Sequence, residues 1–223
     1  MRFRAILFDF DYTLADSSLG VIDCIGFALR ELGLPPVSDD AACRTIGLSL
    51  ADTLAALAGP QPAEANAAFA RLFVEQADRV MADKTVLFPG VRETMTRLQA
   101  RGLTLGIVST KYRRRIEIIL GREGLLATFA LIVGGEDVSA HKPDPASLCL
   151  AMERLGGGPE ETLYAGDSVT DAEAARRAGT PFVAVLSGTT PREAFAGYDV
   201  LALLGGLDEL GAWIRETCQV FKT

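Results

Sequence analysis

The sequence predicts an α/β fold, a Rossmann-like parallel sheet flanked by helices, with an α-helical domain inserted after the first strand. Three observations predict it. Short apolar runs recur along the chain and stop at polar residues, as buried parallel strands do when they deliver side chains at their carboxyl ends. Helical patterns with legible caps lie between those runs, the alternation expected of a sheet covered on both faces. One stretch, residues 16–87, breaks the alternation with several helical segments and no strand.

Taken in order, residues 4–8 (Arg-Ala-Ile-Leu-Phe) form the first run, which ends at Asp9. The insert follows. Leu19, Ile22, Ile25, Leu29 and Leu32 recur at helical spacing within residues 17–32, and residues 63–81 read as a second long helix. Ala15-Asp16 and Phe88-Pro89-Gly90 would then be two adjacent linkers, a geometry that permits opening and closing. The expected division is a core of residues 1–15 and 88–223 and a helical cap of residues 16–87. Past the insert, Pro89-Gly90 precedes a helix over 91–100 that closes at Gly102, and residues 103–108 and 131–133 read as strands. Asp144-Pro145 opens a helix through Arg154 that ends in Gly156, Gly157 and Gly158. A strand over 162–165, a helix ending at Gly179 and a strand over 182–185 complete the pattern.

Bulk properties exclude several partners. Among 223 residues, 29 acidic side chains oppose 22 basic ones, and the resulting charge of -7 repels a nucleic-acid backbone. The basic run over residues 111–115 is expected to be a solvated helix end. The apolar run in MRFRAILFDF is too short for a membrane span or a signal peptide, so a cytoplasmic protein with no membrane partner is expected, as monomer or homodimer. Cys24, Cys43, Cys149 and Cys218 form no CxxC pair and His141 is the only histidine, so zinc-site spacing is absent. Three of the four cysteines fall in apolar helical stretches and are expected as reduced, buried thiols.

Asp9-Phe10-Asp11-Tyr12-Thr13 places two carboxylates two residues apart where a strand runs out. Alone, the pair fits either a catalytic site or a turn. A second cluster, Gly166-Asp167-Ser168-Val169-Thr170-Asp171, follows another apolar run and leads into a helix, where Asp167 also reads as a cap. If parallel strands join the clusters, each pair of like charges about 4 Å apart repels by roughly 4 kcal/mol at an effective dielectric of about 20. Such a site calls for a cation. Hard oxygen ligands without histidine or thiolate point to Mg2+, which shares its shell with phosphate oxygens, and hence to a small-molecule phosphate ester as substrate. Ser109, Thr110 and Lys111, at the end of the second strand, offer hydroxyls and a cation, with Lys142 in the loop after the third. Thr110 and Lys111 are candidate substrate-binding residues, although lysines are most often ordinary surface residues.

DFDYTLADS, VSTK, KPDP and GDSVTD, in that order, resemble the four signature motifs of the haloacid dehalogenase superfamily, and the helical insert resembles its cap. The resemblance implies that Asp9 attacks phosphorus and becomes an aspartyl phosphate, while Asp11 protonates the leaving alcohol and later deprotonates water. It implies that Ser109 hydrogen-bonds the phosphoryl group and that Lys142 offsets charge on it and on Asp9. By the same resemblance Mg2+ is held by Asp9, the Asp11 backbone carbonyl and Asp167, with Asp171 ligating directly or through water. Thr13 matches the position associated with phosphatases, and its hydroxyl can also satisfy the turn. Tyr12 stands where related enzymes often have glycine, making the local surface bulkier. Arg44, with Gly47, Leu48, Ser49 and Leu50, resembles the cap loop that inspects substrate in phosphoglycolate-phosphatase-like members. There Arg44 would grip a carboxylate bidentately, or the loop simply connects two helices. The expected activity is Mg2+-dependent hydrolysis of a small, phosphoglycolate-like phosphorylated metabolite. Alternatives are a pyrophosphatase, a phosphosugar mutase, against which Thr13 argues, a dehalogenase, and a catalytically silent binding protein on the same fold.

Overall fold

The computed structural model describes residues 2–217 and 219–220, which fall into two compact units, Met1–Ala15 with Leu87–Thr223, and Asp16–Val86. The first unit begins with β1 (Arg2–Phe3) and β2 (Ala5–Phe8), and the chain leaves it through β3 (Ala15–Asp16). The second unit holds α1 (Ser18–Glu31), α2 (Asp39–Cys43), α3 (Leu50–Ala58) and α4 (Ala63–Val80), and β4 (Val86–Leu87) returns the chain. The expected strandless insert thus ends on a two-residue strand. The first unit resumes with α5 (Val91–Ala100), β5 (Thr104–Val108), α6 (Arg113–Arg122), β6 (Leu131–Val133) and α7 (Ala146–Leu155). It closes with β7 (Thr162–Gly166), α8 (Val169–Ala178), β8 (Phe182–Val185), β9 (Val200–Leu204), α9 (Leu207–Thr217) and β10 (Gln219–Val220).

Six strands form one sheet in the order β6-β5-β2-β7-β8-β9, each neighbouring pair parallel. From β2 the chain works outward through β5 to β6, then crosses over and works outward again through β7, β8 and β9. Loops on the two sides of β2 therefore diverge, and a crevice opens at the carboxyl ends of β5, β2 and β7. All four residues of β2 are buried, which is why its sequence shows no polar alternation. Helices α7 and α8 cover the sheet through Leu148, Ala151 and Met152 and through Ala172, Ala174 and Ala175.

The sixth strand, β9, is absent from the sequence expectation. Its run Val-Leu-Ala-Leu-Leu sits between Asp199 and Gly205-Gly206, so a signal existed, but four of its five residues are only half-buried on an edge strand. The basic run is not the solvated helix end expected of it. Arg115 is buried with its guanidinium 4.9 Å from the Tyr112 ring centroid, and Lys111 is buried in the crevice. Glu136 accepts the Arg113 backbone N–H at the start of α6, and the Gly135 N–H donates to the Lys111 carbonyl at 3.1 Å. These bonds brace the loop that carries Lys111.

In the second unit α1 packs against α4 on the expected face, with Ile25 and Leu29 buried and Ile22 and Leu32 packed against the core, and only Leu19 departs from it. The buried stripe is Val21, Cys24, Ile25, Ala28 and Leu29, while Leu19 is 67% exposed. Small residues let the helices approach closely: a Cβ on Gly20 would lie 2.8 Å from Met81 Sδ. Phe69, Leu72, Phe73 and Ala77 of α4 complete that core. Ser38 and Ser49 cap α2 and α3 by accepting the N–H groups of Ala41 and Asp52. Of the cysteines, Cys24 is buried, Cys43 half-buried and Cys149 exposed, while Cys218 lies outside the described residues. Cys149 departs from expectation because α7 turns Ser147, Leu148, Ala151 and Met152 inward. Among the described residues no helix is long and apolar enough to cross a membrane.

Candidate active site

Phe8 is level with Ile107 on one side and Ala165 on the other, so the residues that follow β2, β5 and β7 reach the crevice together. Asp9 donates its backbone N–H to Ala165 at 2.9 Å and Ser109 to Val133 at 3.0 Å, which leaves their side chains free of ladder duties. One carboxylate oxygen each from Asp9, Asp167 and Asp171 lies within 4.8 Å of the others, and all three residues are buried.

Beyond Asp9 the backbone turns. Leu14 and Ala15 donate to the Phe10 carbonyl and Tyr12 donates to Ala15 at 2.7 Å. Tyr12 takes φ 60°, a left-handed conformation that costs an L side chain about 1–2 kcal/mol. Glycine would adopt the same conformation without that cost. Thr13 Oγ1 donates to Asp167 Oδ1 at 3.4 Å, joining the two acidic clusters. Lys111, a candidate for substrate, sets its ammonium 2.9 and 3.1 Å from the two carboxylate oxygens of Asp11. Its backbone N–H donates to Ser109 Oγ at 3.3 Å.

Lys142 occupies the centre of the second cluster. Its Nζ lies 3.1 Å from Asp9 Oδ1, 2.6 Å from Asp171 Oδ1 and 3.0 Å from the Tyr164 hydroxyl. Asp171 is saturated: Oδ1 accepts from Lys142 and from Tyr164 at 2.8 Å, and Oδ2 accepts from the Ser168 hydroxyl at 2.6 Å and backbone N–H at 3.2 Å. Ser168 Oγ in turn accepts the Asp171 N–H at 3.1 Å, so the same pair forms the capping box of α8. Asp9 Oδ1 differs. Its Lys142 contact is ionic and out of line, and the atom is buried without a directed hydrogen bond.

Burial raises the Asp9 carboxyl to about 6 against the pull of Lys142, with Asp171 and Asp11 adding to the rise. Asp167 is pushed well above the ordinary range by burial and by the charges of Asp171 and Asp9. Burial also presses on Asp171, but Lys142, Ser168 and Tyr164 outweigh it and hold the carboxyl below its ordinary value. Lys142 stays protonated despite its own burial because Asp171 and Asp9 flank it. One ammonium thus faces three carboxylates, an excess of two negative charges when all are ionised. An under-bonded Asp9 oxygen, an Asp167 driven toward its neutral form and an all-oxygen donor set fit a hard divalent cation.

Tyr164 escapes sequence reading, although a hydroxyl in the middle of a fully buried strand is a signal. Replacing it with phenylalanine keeps the ring packing on Phe182, with centroids 5.9 Å apart, and deletes the bonds to Lys142 and Asp171. Urea denaturation of Tyr164→Phe should show a loss of about 1–2 kcal/mol; unchanged stability would mean that the hydroxyl carries no share of the network. Thr110 is half-buried in the loop after β5. Arg44 belongs to the second unit, at the end of α2, with its side chain 62% exposed and paired to Asp40 at 2.7 Å.

The profile of the family described as haloacid dehalogenase-like hydrolase matches residues 6–185. Over 213 residues the chain is 34% identical to a phosphoglycolate phosphatase of Shigella dysenteriae serotype 1, covering 86% of this chain and 84% of that one. A phosphoglycolate phosphatase of Escherichia coli K12 is 33% identical with the same coverage. A solved structure of a haloacid dehalogenase-like hydrolase from Bacteroides fragilis superposes with a TM-score of 0.91 at 42% identity, over 93% of this chain and 99% of that one.

Proposed function

This chain belongs to the haloacid dehalogenase-like hydrolases, and from that premise we propose that it is a Mg2+-dependent phosphatase acting on a small phosphate ester through an aspartyl phosphate on Asp9. The observation that carries the reading is the buried, under-bonded Asp9 oxygen beside Lys142, in a carboxylate cluster that holds an excess of two negative charges when all its members are ionised. Asp9, Asp167 and the Asp11 backbone carbonyl would hold the ion, which when bound offsets carboxylate and phosphoryl charge. The four hydrogen bonds on Asp171 support a role in holding Lys142 and capping α8, with its contact to the ion made through water.

An Asp9 oxygen attacks phosphorus, the phosphorus–oxygen bond to the alcohol breaks, and Asp11 gives its proton to the departing oxygen. Asp11 then takes a proton from water as the water oxygen attacks phosphorus, the bond to Asp9 breaks, and inorganic phosphate leaves. Lys142 balances charge on Asp9 and the phosphoryl oxygens, and Ser109 donates a hydrogen bond to them. Lys111 holds the Asp11 side chain in place. Thr13, through its bond to Asp167, ties the acid loop to the ligand. The helical unit is the candidate cap and Arg44 its candidate contact for a substrate carboxylate, while Thr110 remains a candidate for the phosphoryl group.

Phosphoglycolate is the first substrate to test, since two relatives carry the name phosphoglycolate phosphatase. Phosphate release from it should exceed that from pyrophosphate, should vanish in EDTA and should return with Mg2+. Turnover undiminished in EDTA would overturn the mechanism. A hexose phosphate converted mainly to its isomer would favour the mutase alternative.

A further inference from the structure

We propose that Ser187 and Gly188 form a positioning element for the Asp167 carboxylate, with the missing side chain at Gly188 setting where that carboxylate sits. The inference rests on reading Asp167 as a metal ligand. Nothing in the sequence motifs marks this segment, which follows β8 in a region without acidic residues.

Topology supplies the first observation. Leu186 still donates to Leu204 of β9 at 2.8 Å, yet the next residue reaches the turn after β2, where Ser187 Oγ donates to the Tyr12 carbonyl at 2.5 Å. In the sheet β7 lies between β8 and β2. A link from the end of β8 to the end of β2 must pass over the end of β7, which is where Asp167 emerges.

Packing supplies the second. A Cβ on Gly188 would lie 1.9 Å from Asp167 Oδ2, 2.8 Å from its Cγ and 3.1 Å from Tyr12 Cβ. Gly188 is not among the residues with positive φ, so an alanine there meets a steric obstacle and no torsional one. Tyr12 Cβ stands on a backbone pinned by the Ala15 carbonyl and by Ser187, whereas the Asp167 carboxylate is the end of a rotatable side chain. The carboxylate is therefore what gives way. Gly188 bounds Oδ2 while Thr13 bonds Oδ1, so both oxygens are located by neighbours outside the acidic clusters' own carboxylates. Residues that orient a ligand in this way commonly control metal affinity by 10- to 100-fold.

The test is direct Mn2+ binding, by isothermal titration and by the electron paramagnetic resonance of the bound ion, in wild type, Gly188→Ala, Ser187→Ala and Asp167→Asn. Gly188→Ala should weaken Mn2+ about 10-fold or more and change the spectrum of the bound ion, with the metal-free melting temperature close to wild type. Ser187→Ala, which adds no volume, should show a smaller loss in the same direction. Wild-type affinity in Gly188→Ala, alongside a loss in Asp167→Asn, would overturn the proposal and leave the metal reading standing. Undiminished affinity in Asp167→Asn would overturn the metal reading and this proposal with it. A large drop in the metal-free melting temperature of Gly188→Ala would also overturn it, because backbone rather than carboxylate would have yielded.

Discussion

Asp9→Asn is expected to lower kcat by about 10⁴-fold or more, with substrate binding largely retained, because the amide cannot form the acyl phosphate through which both displacements pass. Protein free of contaminating phosphatase and of deamidated Asp9 is required, and turnover near the wild-type rate in such a preparation would remove Asp9 from the nucleophile's role. The same substitution carries a second expectation. Burial raises Asp9 from 3.8 to about 6, so between those pH values the folded chain keeps a proton that the unfolded chain has released. In EDTA the stability of the wild type therefore falls as pH rises through that window and stays lower above it. Asparagine removes this slope. Metal-free Asp9→Asn should melt above wild type at pH 7, and the difference should shrink below pH 4; equal melting temperatures at both would mean that ionised Asp9 is not destabilising.

Lys142→Met should have the other large effect, on folding as much as on chemistry. The ammonium is buried with Asp9, Asp171 and Tyr164 as partners, and its removal leaves two carboxylates facing each other without a cation. Breaking a buried pair by deleting one member costs about 3–5 kcal/mol, which for a chain of this size lowers the melting temperature by roughly 6–20 °C. Loss of its charge from the phosphoryl site should reduce kcat by about 10²- to 10³-fold. Methionine preserves most of the stem's volume, so the loss reports charge rather than packing. Wild-type stability at pH 7 in EDTA would show that Asp9 and Asp171 do not need this partner.

Both results depend on groups whose place along the chain was legible; the resemblance also implied that Lys142 faces Asp9, but its bonds to Asp171 and Tyr164 had no sequence signal. Asp9, Ser109 and Asp167 follow apolar runs, and a parallel strand buried on both faces writes itself as such a run followed by a polar residue. The edge strand β9 was missed because an edge is half-solvated. The apolar face of α1 was read correctly at Ile22, Ile25, Leu29 and Leu32, but Gly20, Cys24 and Ala28 were missed because they carry less hydrophobic signal than the exposed Leu19. Tyr164, Ser187 and Gly188 were missed for another reason. Ser187 meets Tyr12 across 175 positions, and Lys142 meets Tyr164 across 22, with no local pattern to announce either contact.

The amino-acid order by itself determined the class of fold, the interruption after the first strand and the two acidic clusters at strand ends, because each follows from local periodicity and local polarity. Only the tertiary structure decided which charge meets which. Lys111 pairs with Asp11, Lys142 stands between Asp9 and Asp171, Asp171 spends its oxygens on Lys142, Tyr164 and the α8 cap, and Gly188 bounds Asp167. Contacts at 2.6–3.1 Å among buried ionic groups depend on the register of β5, β2 and β7 and on the loops crossing their ends. A sequence states the charges, but the distances between them, which in a desolvated site govern both ionisation and ligand geometry, arise only when the strands align.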